Sequence, residues 1–144
     1  MRGMDGDPRP TEPRSRAGWF FLVVATILAG WTVWLTVRLP ERHVVGHWDA
    51  AWGGFDVLLM CAIVALGVML LRPSPHVHVI AVVVSTLLIV DAWFDVTTAS
   101  GSAELTRSLL LAFVVELPLA GYCLLIAIRG ERVRRRGGST GRRR

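Results

Sequence analysis

The sequence has 144 residues, of which 53% are hydrophobic and only 19% charged, with a mean hydropathy of +0.50 and a formal net charge of +5. A soluble domain carries about a quarter charged residues and few long apolar runs, whereas the apolar residues here are gathered into four runs. The composition leaves room for one domain and excludes a soluble enzyme, a disordered chain and a nucleic-acid-binding domain as the main body.

The chain opens with a basic, Pro-rich tail over residues 1–16, which has little apolar surface to bury and is predicted to be disordered. An uncharged run over residues 17–37 follows, and a bilayer core needs about 20 apolar residues per helix, so this run is predicted to be the first span. A signal peptide is the alternative for this run. It is disfavoured because the run exceeds the roughly 7 to 15 apolar residues of a signal and no A-x-A cleavage site follows.

Three further spans are predicted at residues 52–71, 77–98 and 108–128, each interrupted by one or two acidic residues. The short connections between them predict that consecutive helices pack as antiparallel neighbours. The remaining residues, 129–144, form an Arg-rich tail that is also predicted to be disordered. The predicted fold class is therefore all-α, a four-helix transmembrane up-down bundle with disordered basic tails.

The distribution of arginine predicts the orientation of this bundle. Thirteen Arg residues lie in the two tails and in the connection at residues 72–76, against three at the other ends of the spans. Under the positive-inside rule, both termini are cytoplasmic and residues 39–50 and 99–106 lie outside. We expect a multi-pass protein of the cell membrane.

The C-terminal tail carries the densest positive charge. Basic residues beside a cytoplasmic helix end are attracted to anionic lipid by about 1 kcal/mol each, so the anionic cytoplasmic leaflet is the predicted partner of the tail. Nucleic acid is the alternative partner and is not expected, because the tail has no interleaved aromatic residues and no fold behind it. The predicted lipid-contacting residues are Arg132, Arg134, Arg135 and Arg136.

Acidic residues inside the spans are the candidate functional site, because ionisable side chains at membrane depth are costly and usually face the bundle interior. At about 1.5 Å per residue, Asp56, Asp91 and Glu116 lie roughly 6, 10 and 12 Å below the outer ends of their spans and can share one layer. Pro118 frees the carbonyl of residue 114, close to Glu116. The predicted polar cluster consists of Asp56, Asp91, Asp95, Glu116, Arg107 and His47.

Two further patterns lie near the outer ends of the spans. His43 and His47 have a spacing that can place two imidazoles on one helix face, as in zinc sites. The segment after Pro40 lacks a helical pattern and no H-E-x-x-H is present, so neither a metal nor a cofactor is predicted. Aromatic residues predict an interfacial belt or, alternatively, a small amphiphile-binding mouth with acidic groups; they are Trp48, Trp52, Phe55, Trp93 and Phe94.

The segments HWDAAWGGFD (residues 47–56), DAWFD (91–95) and ELPL (116–119) resemble a group of small four-span integral membrane proteins of actinobacteria whose biochemical function is uncharacterised. The resemblance covers about residues 17–128 and implies an architecture but no activity. The small multidrug exporters are four-helix proteins of similar size with a membrane-embedded Glu in the first span. Here the first span has no acidic residue and the Glu lies in the fourth, which disfavours that assignment.

These observations favour a non-enzymatic membrane protein whose outer acidic cluster holds the bundle together or engages a partner, which is a second copy or another membrane protein. One alternative is an oligomeric proton- or cation-coupled small transporter, since a layer of carboxylates can exchange a proton or cation. Another is an intramembrane lipid-modifying enzyme with Asp91 or Glu116 as acid/base and a histidine assisting.

Overall fold

The computed structural model describes residues 12–38, 48–72 and 74–140. This part of the chain is helical apart from short turns, and it contains no strand. The elements are α1 (Glu12–Arg38), α2 (Trp48–Leu71), α3 (Val77–Thr98), α4 (Ser102–Leu111), a π-helical turn (Ala112–Glu116) and α5 (Leu117–Thr140). The backbone stays helical at both ends of the π-helical turn, so α4, the turn and α5 form one rod, the fourth span.

Within these described ranges, four helices are long and apolar enough to cross a membrane. Large apolar side chains are exposed around their outward faces, as expected where lipid replaces water as the solvent of the surface. The predicted all-α four-span bundle is confirmed, and the chain is a multi-pass membrane protein. The spanning segments are Pro13–Trp34, Ala51–Leu71, Val77–Thr98 and Ser102–Arg132.

The first two helices pack closely and antiparallel. A Cβ atom on Gly18 would lie 2.9 Å from the carbonyl oxygen of Gly67 and 2.7 Å from Cγ of Leu71, so this contact requires glycine. Close approach through small residues is a common way for membrane helices to pack. Arg14 adds a polar contact, because its Nη2 donates to the carbonyl oxygen of Met69 at 3.3 Å, near the end of α2 where carbonyls lack helical partners.

The third and fourth spans form the second antiparallel pair. Ser85 Oγ donates to the carbonyl oxygen of Ala120 at 2.9 Å in the buried interface. Nearer the start of α3, Nε2 of His78 lies 3.8 Å from Oε2 of Glu131. The α2–α3 contact joins the two pairs, whereas α1 and α5 meet through stacked rings of Phe21 and Tyr122, whose centroids are 5.9 Å apart.

We call the end of the bundle where α1 and α3 end and α2 and α4 begin the distal end. The opposite end, where α1 begins and α2 ends, is the proximal end. Fully buried apolar side chains fill the bundle between them: Phe21, Leu59, Ile63, Leu66, Val84 and Cys123.

The helices extend beyond their predicted ends. Residues 12–16 and 129–140, predicted to be disordered, are helical in the structure. A span is an already nucleated helix, and the Arg and Glu residues beside it favour helix, so each added residue gains a hydrogen bond without a new nucleation cost. The fourth span likewise begins at Ser102 rather than residue 108, after a turn at Gly101 whose φ is +128°.

Candidate functional site

Three acidic residues lie one turn distal to buried leucines of the core. Asp56 precedes Leu59 by three residues, Asp91 follows Leu88 by three, and Glu116 precedes Leu119 by three. Residues three apart share a helix face, so each carboxyl is on the same inward face as its leucine. The apolar core therefore ends, toward the distal end, in a layer of carboxyls.

The structure brings these carboxyls within electrostatic range of one another. Asp91 interacts with Asp95 and Asp56, Asp95 also interacts with Asp56, and Glu116 interacts with Asp91 and Asp95. Every member thus interacts with at least two others. We call Asp56, Asp91, Asp95 and Glu116 the acidic cluster.

Polar and basic groups compensate the acidic cluster only at its edges. Thr32 Oγ1 of α1 donates to Oδ2 of Asp56 at 3.3 Å. The exposed Arg107 interacts with Asp95, as does the carboxylate of Glu104, which is exposed and also accepts a hydrogen bond from the backbone N–H of Ser100 at 2.8 Å. At Asp95, two carboxyls, those of Asp56 and Glu104, thus act against the single Arg107, and the interior of the cluster is carboxyl against carboxyl.

Glu116 is the most enclosed member of the cluster. It is 8% exposed, and its Oε2 atom is buried with no hydrogen-bond partner in the described part of the chain. Leaving a buried polar atom unsatisfied costs about 1–3 kcal/mol, so such an atom requires an explanation. It is the one cluster oxygen that is both buried and unpartnered among the described residues.

The backbone around Glu116 is widened into the π-helical turn. The N–H of Leu117 bonds to the carbonyl oxygen of Ala112, five residues back. Pro118 explains the turn, because it has no N–H for the carbonyl of Val114 and its ring clashes with a regular helix there. The sequence predicted this disturbance beside Glu116, and π-helical turns are frequent at functional sites.

The wider turn also keeps one face of the fourth span inward. Ser108, Ala112, Glu116 and Ala120 are all buried and are spaced by four residues. In a regular α-helix each step of four overshoots a full turn by about 40°, so three steps would carry the last residue well off the starting face. The π-helical turn absorbs part of that drift and holds Glu116 toward α3.

Aromatic rings cover the distal side of the acidic cluster. Trp52 lies four residues distal to Asp56, and Phe94 lies three residues distal to Asp91. Their rings meet edge to face across the α2–α3 contact with centroids 5.6 Å apart. Phe55 approaches the same Phe94 ring with centroids 6.5 Å apart. Toward the distal end, the leucines are thus followed first by Asp56, Asp91 and Glu116 and then by the Trp52 and Phe94 rings, with Asp95 one residue beyond Phe94.

Several predicted site residues lie elsewhere. His43 and His47 lie outside the described residues, so the contribution of His47 to the cluster and the alternative of a metal at the two histidines stay predictions. Within the described ranges, no three His, Cys, Asp or Glu side chains are arranged to hold a metal ion. Arg132 is exposed near the proximal end, and contact of the tail with lipid stays a prediction for it and for Arg134, Arg135 and Arg136.

Two polar contacts were missed by the sequence analysis. Thr32 joins the layer of carboxyls from α1, and the available signal was that it is one of two threonines, with Thr36, in the mostly apolar outer half of the first span. Arg14 lies in a segment predicted to be disordered, and no local pattern connects it with Met69, which is 55 residues away.

Comparison of the chain with protein-family models, with curated proteins and with solved structures gives no match.

Proposed function

We propose that the protein is a small proton-coupled carrier of the cell membrane in which the acidic cluster takes up and releases the coupling proton. The observation that carries this proposal is Glu116, a nearly fully buried carboxyl with an unpartnered oxygen that faces other carboxyls rather than a cation. The distal end is then the outer end, with both termini in the cytoplasm as the arginine distribution predicts.

A purely structural cluster, the role that the sequence analysis favoured, fits this geometry less well. Polar groups that hold helices together satisfy one another, as Ser85 does with the carbonyl of Ala120. The acidic cluster instead opposes carboxyl to carboxyl, with Arg107 reaching only Asp95 at its exposed edge. Carboxyls that approach one another in a low-dielectric interior are costly as anions, so the cluster does not stabilise the bundle in that state.

Among small cations, the proton fits the site best. A carboxyl binds a proton without any further ligand, whereas a metal ion needs several ligands at fixed distances. The described residues offer no such three-ligand arrangement. Protons also pass readily between neighbouring carboxyls, and rows of intramembrane Asp and Glu residues are typical of proton relays.

The enzyme alternative has less support from the described residues. An acid/base role for Asp91 or Glu116 was expected to use a histidine. The histidines that the structure describes, His76 and His78, lie at the proximal end, at the start of α3, away from the acidic cluster. His47, the histidine that the sequence predicts at the cluster, lies outside the described residues, and we propose a carrier because the described cluster consists of carboxyls without a histidine.

Proton flux in proteoliposomes tests the proposal. With a pH gradient imposed, a pH-sensitive dye trapped inside and small cations, anions and neutral solutes supplied outside in turn, we expect the parent protein to move protons when at least one of these solutes is present. Glu116→Gln and Asp91→Asn should abolish that flux because an amide keeps the shape of the carboxyl but cannot release a proton. Glu104→Gln, an exposed position in the same span, is the matched control and should retain it.

Folded Glu116→Gln and Asp91→Asn proteins that both conduct protons like the parent would contradict the proposal and restore the structural role. Circular dichroism and size-exclusion profiles establish that each variant is folded before its flux is compared.

A further inference from the structure

The mouth of the acidic cluster combines two kinds of group. Carboxyls from α2 and α3 lie immediately beneath aromatic rings from the same helices, one helical turn away on each. Both sets are partly accessible: Asp56, Asp91 and Trp52 are half-buried, and Phe94 is 37% exposed. We call Trp52, Phe55 and Phe94 the aromatic lid.

An interfacial belt does not account for the aromatic lid. Belt residues present their rings to headgroups and lipid, as Trp93 does with 61% of its surface exposed. Trp52 and Phe55 are instead half-buried, and both approach the Phe94 ring across the helix contact. Their rings therefore pack into the α2–α3 contact, one turn or less from Asp56 and Asp91, rather than onto the outside of the bundle.

Aromatic faces and carboxyls share one preferred ligand class. The negative face of an aromatic ring attracts an ammonium group, and more strongly where water is excluded. Carboxylates near the ring attract the same ammonium group through their negative charge. Anions are repelled by such a mouth, and a strongly hydrated metal ion gains little from the rings.

We propose that the aromatic lid and the acidic cluster together bind an organic cation, an amine or quaternary ammonium group on a small apolar body. This proposal rests on the proposed proton site and names the solute that exchanges with the proton. The cationic group binds against the Trp52 and Phe94 rings and the carboxyls of Asp56 and Asp91. The buried Glu116, whose Oε2 has no partner among the described residues, gives up its proton when the cation binds and takes up a proton when the cation leaves.

Calorimetric titration of the full chain in lipid nanodiscs tests this proposal with benzyltrimethylammonium as the probe. Its neutral analogue neopentylbenzene has the same shape, with carbon in place of the charged nitrogen. We expect saturable binding of the cation alone, weakened at acid pH where protons compete. Trp52→Leu and Phe94→Leu should each weaken binding by about tenfold, whereas Trp31→Leu, a tryptophan on the exposed face of α1, should not.

The proposal is overturned if the cation shows no saturable binding, if neopentylbenzene binds equally well, or if neither lid variant weakens binding. Proton flux is measured in proteoliposomes that are reconstituted from the same purified proteins. If proton flux depends on Glu116 but the cation does not bind, the organic cation is the wrong solute and the proton site stands. If neither Glu116-dependent flux nor cation binding is found, the proton site is contradicted as well.

Discussion

Glycine at position 18 determines how closely the first two helices approach. Its Cα faces the Gly67 backbone and the Leu71 side chain, and a Cβ there would meet a backbone oxygen that cannot move without shifting a helix. Gly30, twelve residues along the same helix, has nothing within 4 Å of the position of its Cβ. Both glycines lie in α1, but only Gly18 lies in a close helix contact. Comparing the same substitution at the two positions therefore measures the effect of that contact.

We expect Gly18→Ala to lower the free energy of unfolding by about 1–3 kcal/mol, because the added methyl group overpacks the α1–α2 contact. Gly30→Ala should leave it unchanged or raise it by about 0.5–1 kcal/mol, since alanine favours helix over glycine. Equilibrium unfolding in mixed micelles, followed by circular dichroism, measures both. Equal stability of the two variants would show that the close helix contact is absent.

At the scale of elements, the fourth span differs from the other three. Pro118 has no N–H to donate to the carbonyl of Val114, four residues before it, and the helix is widened over Ala112–Glu116. The widening coincides with Glu116, the most buried acidic residue in the described part of the chain. The same turn therefore contains both an irregular hydrogen-bond pattern and a buried carboxyl, although a regular helix would be more stable.

Pro118→Ala should convert this turn into a regular α-helix and raise the free energy of unfolding by up to about 3 kcal/mol. The side chain at 116 then rotates relative to α3, and proton flux should fall. Slow amide exchange at position 118 measured by NMR would report the new bond to the Val114 carbonyl. Pro13→Ala is the control, because proline in the first turn of a helix displaces no hydrogen bond. Fast exchange at 118 together with unchanged flux would contradict this account.

The number of spans and the levels of the acidic residues along them could be predicted from the sequence. Apolar runs long enough to cross a bilayer specify the spans, and a fixed rise per residue places Asp56, Asp91 and Glu116 at one level. The helix ends were predicted less well, since extension beyond the bilayer depends on propagation and on contacts such as that of Arg14 with Met69. The unpartnered oxygen of Glu116 is a product of tertiary packing that no local pattern contains.

At the scale of the whole molecule, charge of opposite sign is separated along the bundle. The acidic cluster lies toward the distal end, whereas the described arginines nearest the chain ends, Arg14, Arg16, Arg129 and Arg132, lie toward the proximal end. Basic residues resist translocation, so this separation predicts the orientation of the bundle. We therefore expect the acidic mouth of the proposed carrier to open to the outside.

Reporter fusions test this orientation. Fusions at Gly46 and Ser102 should give external activity, and a fusion after Arg144 should give cytoplasmic activity, because the arginine-rich ends remain inside. External activity from the C-terminal fusion would invert the bundle and would place the acidic cluster on the cytoplasmic side.

Infrared difference spectroscopy of the protein in lipid is the most direct test of proton exchange at the acidic cluster. As the solution is taken from acid to alkaline pH, we predict that a carbonyl band of a neutral carboxylic acid disappears in the parent protein. The band should be lost in Glu116→Gln and retained in Glu104→Gln. A spectrum without a titrating carboxylic-acid band, or with the same band in Glu116→Gln, would contradict the account.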